Sequence, residues 1–176
     1  MGFAIKQDML IHRLAIYVCI MSFFYANIAY AATNSTNLSV SVSVPPQANI
    51  TGGQIHFGTS SNPSLTQNAS GIFQVNVSTG YAYHITLDAG LHATSTRRLS
   101  SSTGHFRPYS LYQDAAHSIQ WGDALFANTY PAGQAVANTG TGATQTFTVY
   151  ASLPGQPRIA VPTGSYTDAV TITVHY

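Results

Sequence analysis

The sequence is short of charged residues and of cysteine. Charged side chains make up 6% of the 176 residues, glutamate is absent, and the single lysine and single cysteine are Lys6 and Cys19. Both lie in the first 31 residues, which we predict to be a removable leader, so the remaining chain can form no disulfide. From residue 32 onwards four arginines balance four aspartates. A neutral chain of this kind offers no electrostatic surface for nucleic acid or for an anionic membrane.

Groups that could carry catalysis or bind a metal are also scarce. Four aspartates without any glutamate supply few candidates for the carboxylate pair that glycoside hydrolysis needs. The six histidines after residue 31 stand at no spacing typical of a metal site, and no stretch resembles a phosphate loop or a nucleophile elbow. We therefore predict that the protein is not an enzyme and has no catalytic residue, no metal site and no cofactor.

The N-terminus has the pattern of a secretory signal peptide. A basic start that contains Lys6 and Arg13 precedes the apolar run "LAIYVCIMSFF" at residues 14–24, and small residues follow up to Ala31. The apolar run is too short to span a bilayer, which needs about 20 such residues. We predict a signal peptide at residues 1–31, secretion of the remainder, and no stable membrane insertion after cleavage.

A strictly alternating segment follows the predicted signal. Leu38, Val40, Val42 and Val44 alternate with serines, so a strand here would have one apolar face and one hydroxyl face. Pro45 and Pro46 then separate this segment, within residues 32–46, from a domain at residues 47–176, because proline cannot donate to a strand ladder. Such a strand must find a sheet, either in its own molecule or in another.

The rest of the chain predicts an all-β sandwich. Short alternating runs recur about every dozen residues, separated by loops rich in Ser, Asn, Gly and Pro, and no window has a helical period. In the last run Val170, Ile172, Val174 and Tyr176 share one face. The predicted strands lie at residues 54–58, 71–77, 81–90, 109–114, 118–123, 143–153 and 166–176.

Four short motifs occur along the chain after the predicted signal. They are "FG" (Phe57, Gly58), "YSLYQD" (with Tyr109, Leu111 and Tyr112), "WGD" (Trp121, Gly122, Asp123) and the closing "GSYTDAVTITVHY" (with Tyr166 and Asp168). These motifs resemble those of the spore coat protein U domain family, which includes the pilin subunits of archaic, Csu-type chaperone–usher pili. The resemblance covers nearly all of the chain after the predicted signal, and two cysteines usual in the family are missing here.

The resemblance implies an incomplete immunoglobulin-like β-sandwich that is completed by donor-strand exchange. The donor strand would be the segment with Leu38, Val40, Val42 and Val44, and the groove would lie beside the closing strand with Val170, Ile172, Val174 and Tyr176. The implied partners are a periplasmic pilus chaperone, an outer-membrane usher and other pilin subunits. The implied location is the cell surface, as a fimbrium reached through the periplasm that supports adhesion and biofilm formation.

Three alternatives remain open from the sequence. The segment before Pro45 could be the first strand of its own sandwich, since most sandwich domains complete themselves. The protein could be a secreted coat protein that does not polymerise. It could also be a carbohydrate-binding module in which Trp121, Tyr109 and Tyr112 form a sugar platform.

Overall fold

A computed structural model describes residues 33–176, and the predicted signal peptide lies outside them. The chain divides into two compact units, Met1–Val42 and Ser43–Tyr176. Residues 33–47 have no regular secondary structure, and the side chains of Leu38, Val40 and Val42 are at least 85% exposed. Within residues 33–176 no helix is long and apolar enough to cross a membrane.

The unit Ser43–Tyr176 is built from nine strands in two sheets. The first sheet has six strands in the order β1-β2-β7-β5-β4-β8, and the second has three in the order β6-β3-β9. All pairings between these strands are antiparallel. The strands are β1 (Ala48–Thr51), β2 (Gln67–Val77), β3 (Ala82–Leu87), β4 (Arg97–Ser101), β5 (Phe106–Tyr112), β6 (Val136–Thr139), β7 (Gln145–Leu153), β8 (Tyr166–Thr167) and β9 (Ile172–His175).

The strand predicted at residues 166–176 is interrupted, and this break lets the chain change sheets. β8 pairs with β4 in the large sheet, whereas β9 pairs with β3 in the small one. Between the two strands the carboxylate of Asp168 points inward and lies against Gly90, whose φ is +82°. A side chain at position 90 would collide with this carboxylate, so glycine is needed at that position. The alternation of half-buried and exposed residues continues from Tyr166 to Val174, but the partner strand changes from β4 to β3 part of the way along.

Other predicted strands differ as well. Residues 54–58 lie against β2 but form no ladder, and residues 118–123 contribute only isolated bridges such as Tyr112 to Gln120. Conversely β1, β4 and β6 were not predicted, because their sequences "ANIT", "RRLSS" and "VANT" are short and polar. Their extended conformation comes from pairing with neighbouring strands, a tertiary effect that outweighs local preference.

The core lies between the two sheets and centres on Trp121. This side chain is 1% exposed, its Nε1 donates to the Ile85 carbonyl at 3.2 Å, and its ring lies 5.7 Å from that of Phe73. A buried indole N–H needs such an acceptor. The other buried apolar residues of this cluster are Val75, Val77, Tyr83, Ile85, Leu87, Tyr109, Leu111, Val149, Ala151 and Leu153.

A fully buried arginine joins the sheets, and no carboxylate of residues 33–176 lies within ion-pair distance of it. Arg97 in β4 is 0% exposed, and it donates to the carbonyls of Leu87 (2.8 Å), Asp88 (2.6 Å) and Trp121 (2.7 Å). Its guanidinium also lies 4.0 Å from the ring centroid of Tyr130. Burial lowers the pKa of Arg97, and the carbonyls and the aromatic face offset the cost of desolvation.

We expect Arg97→Met to lower the free energy of unfolding by about 3 kcal/mol or more, because it leaves several buried carbonyls without a donor. Arg98→Met is the matched control, since Arg98 is half-buried and donates a single bond to the His92 carbonyl. Its loss should cost about 1 kcal/mol. Urea unfolding of both variants measures the difference, and equal losses would contradict a bridging role for Arg97.

Candidate functional site

An open groove of about 1300 Å³ runs along one side of the sandwich. One wall is formed by residues 53–61, which follow β1, and the other by residues 161–172, which contain β8 and the start of β9. The floor is apolar and belongs to the core. Its residues are Leu87, Leu99, Tyr109, Leu111, Val149, Ala151 and Leu153.

The groove separates two stretches of backbone that have no partner strand on the groove side. Among the described strands β8 pairs only with β4, β9 only with β3, and residues 53–61 have no ladder partner. Main-chain donors and acceptors along such stretches can pair with a further extended segment. The groove is therefore wide and apolar at its floor and can form hydrogen bonds along its walls.

The predicted closing-strand residues divide into two groups. Val170 and Ile172 line the groove, and Val174 packs against the core cluster beyond it. Tyr176 is 59% exposed and does not line the groove. The shared face that alternation predicted thus holds for three of the four residues, and the role of these residues in binding a strand stays a prediction.

Six of the predicted motif residues lie on the groove. Phe57 is half-buried on one wall, Tyr166 and Asp168 lie on the other, and Tyr109 and Leu111 form part of the floor. The adjacent Gly58 has φ +74° and lines the groove where its wall turns.

The remaining motif residues do not line the groove. Trp121 belongs to the core, and Tyr112 lies beside His117, with ring centroids 4.9 Å apart. Gly122 allows a close approach to Gly133. Asp123 is 1% exposed and accepts bonds from the backbone of Thr129 (2.8 Å) and from its hydroxyl (2.7 Å). The "WGD" motif therefore builds a rigid loop and not a binding surface.

Asp168 fixes one groove wall to the floor. Its side chain is 2% exposed, and its carboxylate accepts a bond from the Tyr109 hydroxyl at 2.7 Å and contacts His92 Nδ1 at 2.9 Å. Burial, together with the bond to this carboxylate, raises the pKa of Tyr109, so the phenol stays protonated as a donor. The wall after β8 is therefore held in place without a partner strand.

The sequence analysis missed three buried polar groups at one end of the groove. Arg107 is 4% exposed, and with Ser60 and Gln67 it lines the groove. A signal for Arg107 was present, because in β5 it shares the inward phase of Tyr109 and Leu111. No local pattern identifies Ser60 or Gln67, whose burial depends on the tertiary fold.

The predicted donor residues lie outside regular structure. Leu38, Val40, Val42 and Val44 are 87%, 85%, 88% and 77% exposed. Four neighbouring apolar side chains of one phase are therefore open to solvent. Within residues 33–176 no group of three or more His, Cys, Asp or Glu side chains could hold a metal ion.

A comparison of the sequence with models of known protein families gives a match. The model of the Spore Coat Protein U domain matches residues 34–173. No curated protein sequence matches the chain.

A solved structure shares the fold. The chain is similar to one in the crystal structure of the CsuC–CsuE complex, a chaperone–tip adhesion subunit pre-assembly complex from the archaic chaperone–usher Csu pili of Acinetobacter baumannii. The TM-score is 0.55 at 20% identity, over 76% of this chain and 41% of that chain, so this chain spans less than half of its length. The all-β, immunoglobulin-like sandwich predicted from the sequence is confirmed. Because the family model covers most of the residues, the chain belongs to the Spore Coat Protein U domain family.

Proposed function

We propose that the protein is a structural subunit of a surface fibre, an archaic chaperone–usher pilus, and that it polymerises by inserting its N-terminal segment into the groove of the neighbouring subunit. The observation that carries this proposal is the open apolar groove between two stretches of unpaired backbone, in a chain that also has an exposed alternating segment. The donor would comprise residues 36–44, with Leu38, Val40, Val42 and Val44 facing the groove floor.

The energetics of insertion are favourable only when the groove contributes main-chain bonds. Burying the four apolar side chains gives about 1.5–3 kcal/mol each, or roughly 6–12 kcal/mol before costs. Ordering the backbone of residues 36–44 costs about 1–2 kcal/mol per residue, or roughly 9–18 kcal/mol in all, which is as large as that gain or larger. Hydrogen bonds along residues 53–61 and along β9, each worth about 1 kcal/mol, would supply the remainder.

The geometry of exchange explains a fibre. The donor segment and the groove are different surfaces of one chain, so the contact is head-to-tail and does not close on itself. Pro45 and Pro46 end the donor before β1 because neither can donate to a ladder. Each subunit would therefore both fill a groove and offer one.

The proposed partners follow from the same groove. A subunit with an open apolar groove needs cover before assembly, and the similar solved structure is a complex of a chaperone with a tip adhesion subunit. We assign to this chain a periplasmic chaperone, an outer-membrane usher and further pilin subunits, with a final location at the cell surface. Adhesion and biofilm formation are the roles such a fibre would support.

The alternative functions have less support. Trp121 and Tyr109 are 1% and 5% exposed, so they cannot form the sugar platform considered from the sequence. If the protein were a coat protein that does not polymerise, the open apolar groove and the exposed donor residues would have no binding partner that explains them. We assign a structural and not a catalytic role.

Deletion of residues 34–44 should abolish fibres while leaving a secreted subunit that binds its chaperone, because the groove remains and only the donor is lost. Electron microscopy and co-purification with the chaperone give the two readouts. A control that replaces the serines at 39, 41 and 43 with threonine keeps the alternation and should still form fibres. Fibres that survive the deletion would refute strand exchange.

Val42→Asp should prevent assembly almost as completely as the deletion, since it would force an unpaired carboxylate into an apolar groove. Ser41→Asp adds the same charge on the opposite face of the segment, where it would face solvent, and should assemble nearly as well as the unaltered chain. Fibre yield by electron microscopy and by sedimentation compares them. Equal yields from the two variants would show that the segment does not insert with this face inward.

A further inference from the structure

The groove has one polar end, defined by Arg107, Gln67 and Ser60. Among the described residues, Arg107 Nε, Gln67 Oε1 and Ser60 Oγ are buried without a hydrogen-bond partner. They line the same groove as the apolar floor residues.

Strand register and hydrogen bonds place Gln67 and Arg107 beside residues 153–154, and the neighbour of Ser60 contacts the segment that follows. Gln67 lies opposite Leu153, and the next residue, Pro154, offers the carbonyl nearest to Arg107 Nη2, at 3.5 Å. The carbonyl of Ser61, the neighbour of Ser60, accepts a bond from Arg158 at 2.9 Å. These contacts define one end of the groove.

The two buried arginines of the chain differ in one respect. Arg97 makes short bonds to the carbonyls of Leu87, Asp88 and Trp121. Arg107 is almost as buried, yet its only bond is the long one to Pro154, and no carboxylate of the described residues lies within ion-pair distance. A buried charged donor without acceptors is costly, so the site favours a ligand that brings acceptors.

The direction of an inserted strand follows from pairing with β9, whereas the same strand would be parallel to residues 53–61, which themselves run towards the polar end. β8 begins at the polar end, because Thr167 lies opposite Ser100 and Ser100 lies opposite Phe106, which precedes Arg107. From there the chain runs away towards β9. All named strands of this fold pair antiparallel, so an inserted strand that pairs with β9 would run towards the polar end and finish there.

We propose that the polar end receives the Pro45 and Pro46 end of the segment inserted by a second copy of the chain, and that Arg107 donates to its main-chain carbonyls. This inference rests on the proposed function. A guanidinium can only donate, and two consecutive prolines offer carbonyl acceptors without any N–H that would itself need a partner. Arg107 is then the residue that fixes the register of the donor.

Cross-linking tests the placement, because the chain has no cysteine after Cys19. In fibres of the full chain, Ser60→Cys combined with Pro46→Cys should give a ladder of covalent multimers with a short bismaleimide, on a denaturing gel. Ser60→Cys with Asn34→Cys places the second thiol at the other end of the donor and should give none. A ladder only from the Asn34 pair would overturn the inference and leave strand exchange intact. Fibres that give no ladder with either pair would overturn both.

Arg107→Met tests the anchoring role with two measurements. Fibres of this variant should release subunits in urea about tenfold faster or more, the effect of losing a hydrogen bond to a charged group. The unassembled full chain should keep its thermal midpoint, because the variant also removes an unpartnered buried charge.

Arg98→Met is the control for subunit release, since Arg98 does not line the groove and should leave the rate of release in urea unchanged. Unchanged release from Arg107→Met fibres, or an equal loss in fibre and unassembled chain, would overturn the anchoring role.

Discussion

Two stretches of backbone without a partner strand, one on each side of an open apolar floor, govern the rest of this structure. A β-sandwich is stable when each sheet covers the apolar face of the other, and here the floor between residues 53–61 and residues 161–172 stays open. Filling the groove would cover that floor and also satisfy the edge hydrogen bonds. One insertion would therefore supply hydrophobic burial and main-chain bonding together, which explains how a segment of a few residues could hold subunits in a fibre.

The frame around the groove must keep its shape while the groove is empty, and it does so without a disulfide. Arg97 ties β4 to the carbonyls of Leu87, Asp88 and Trp121, and Asp168 ties the wall after β8 to Tyr109. The family usually has two cysteines that are missing here, and a typical disulfide contributes about 2–4 kcal/mol. Buried hydrogen bonds between elements distant in sequence provide the corresponding constraint in this chain.

The sequence was informative where a strand alternates and uninformative where strands depend on neighbours. Alternation identified β2, β3 and β7 and the inward residues Val170, Ile172 and Val174. It could not find β1, β4 or β6, whose short polar sequences extend only because partner strands bind them. It also merged β8 and β9, since the alternation continues through the point where the chain changes sheets and only the partner strand differs. The apolar part of the groove was thus predictable, whereas its polar end was not.

The shortage of charge has a physical consequence for a protein with open edges. Lysine is a common device against pairing between exposed edges of different molecules, and the chain has none after Lys6. In a monomer that composition would favour uncontrolled association. In a subunit whose edges are covered first by a chaperone and then by a neighbour, lysine side chains along those edges would instead obstruct assembly. The position of Arg107 agrees with this reasoning, because the cation stands at the end of the groove, where it can select a segment rich in acceptors, and not along the floor, where apolar side chains must enter.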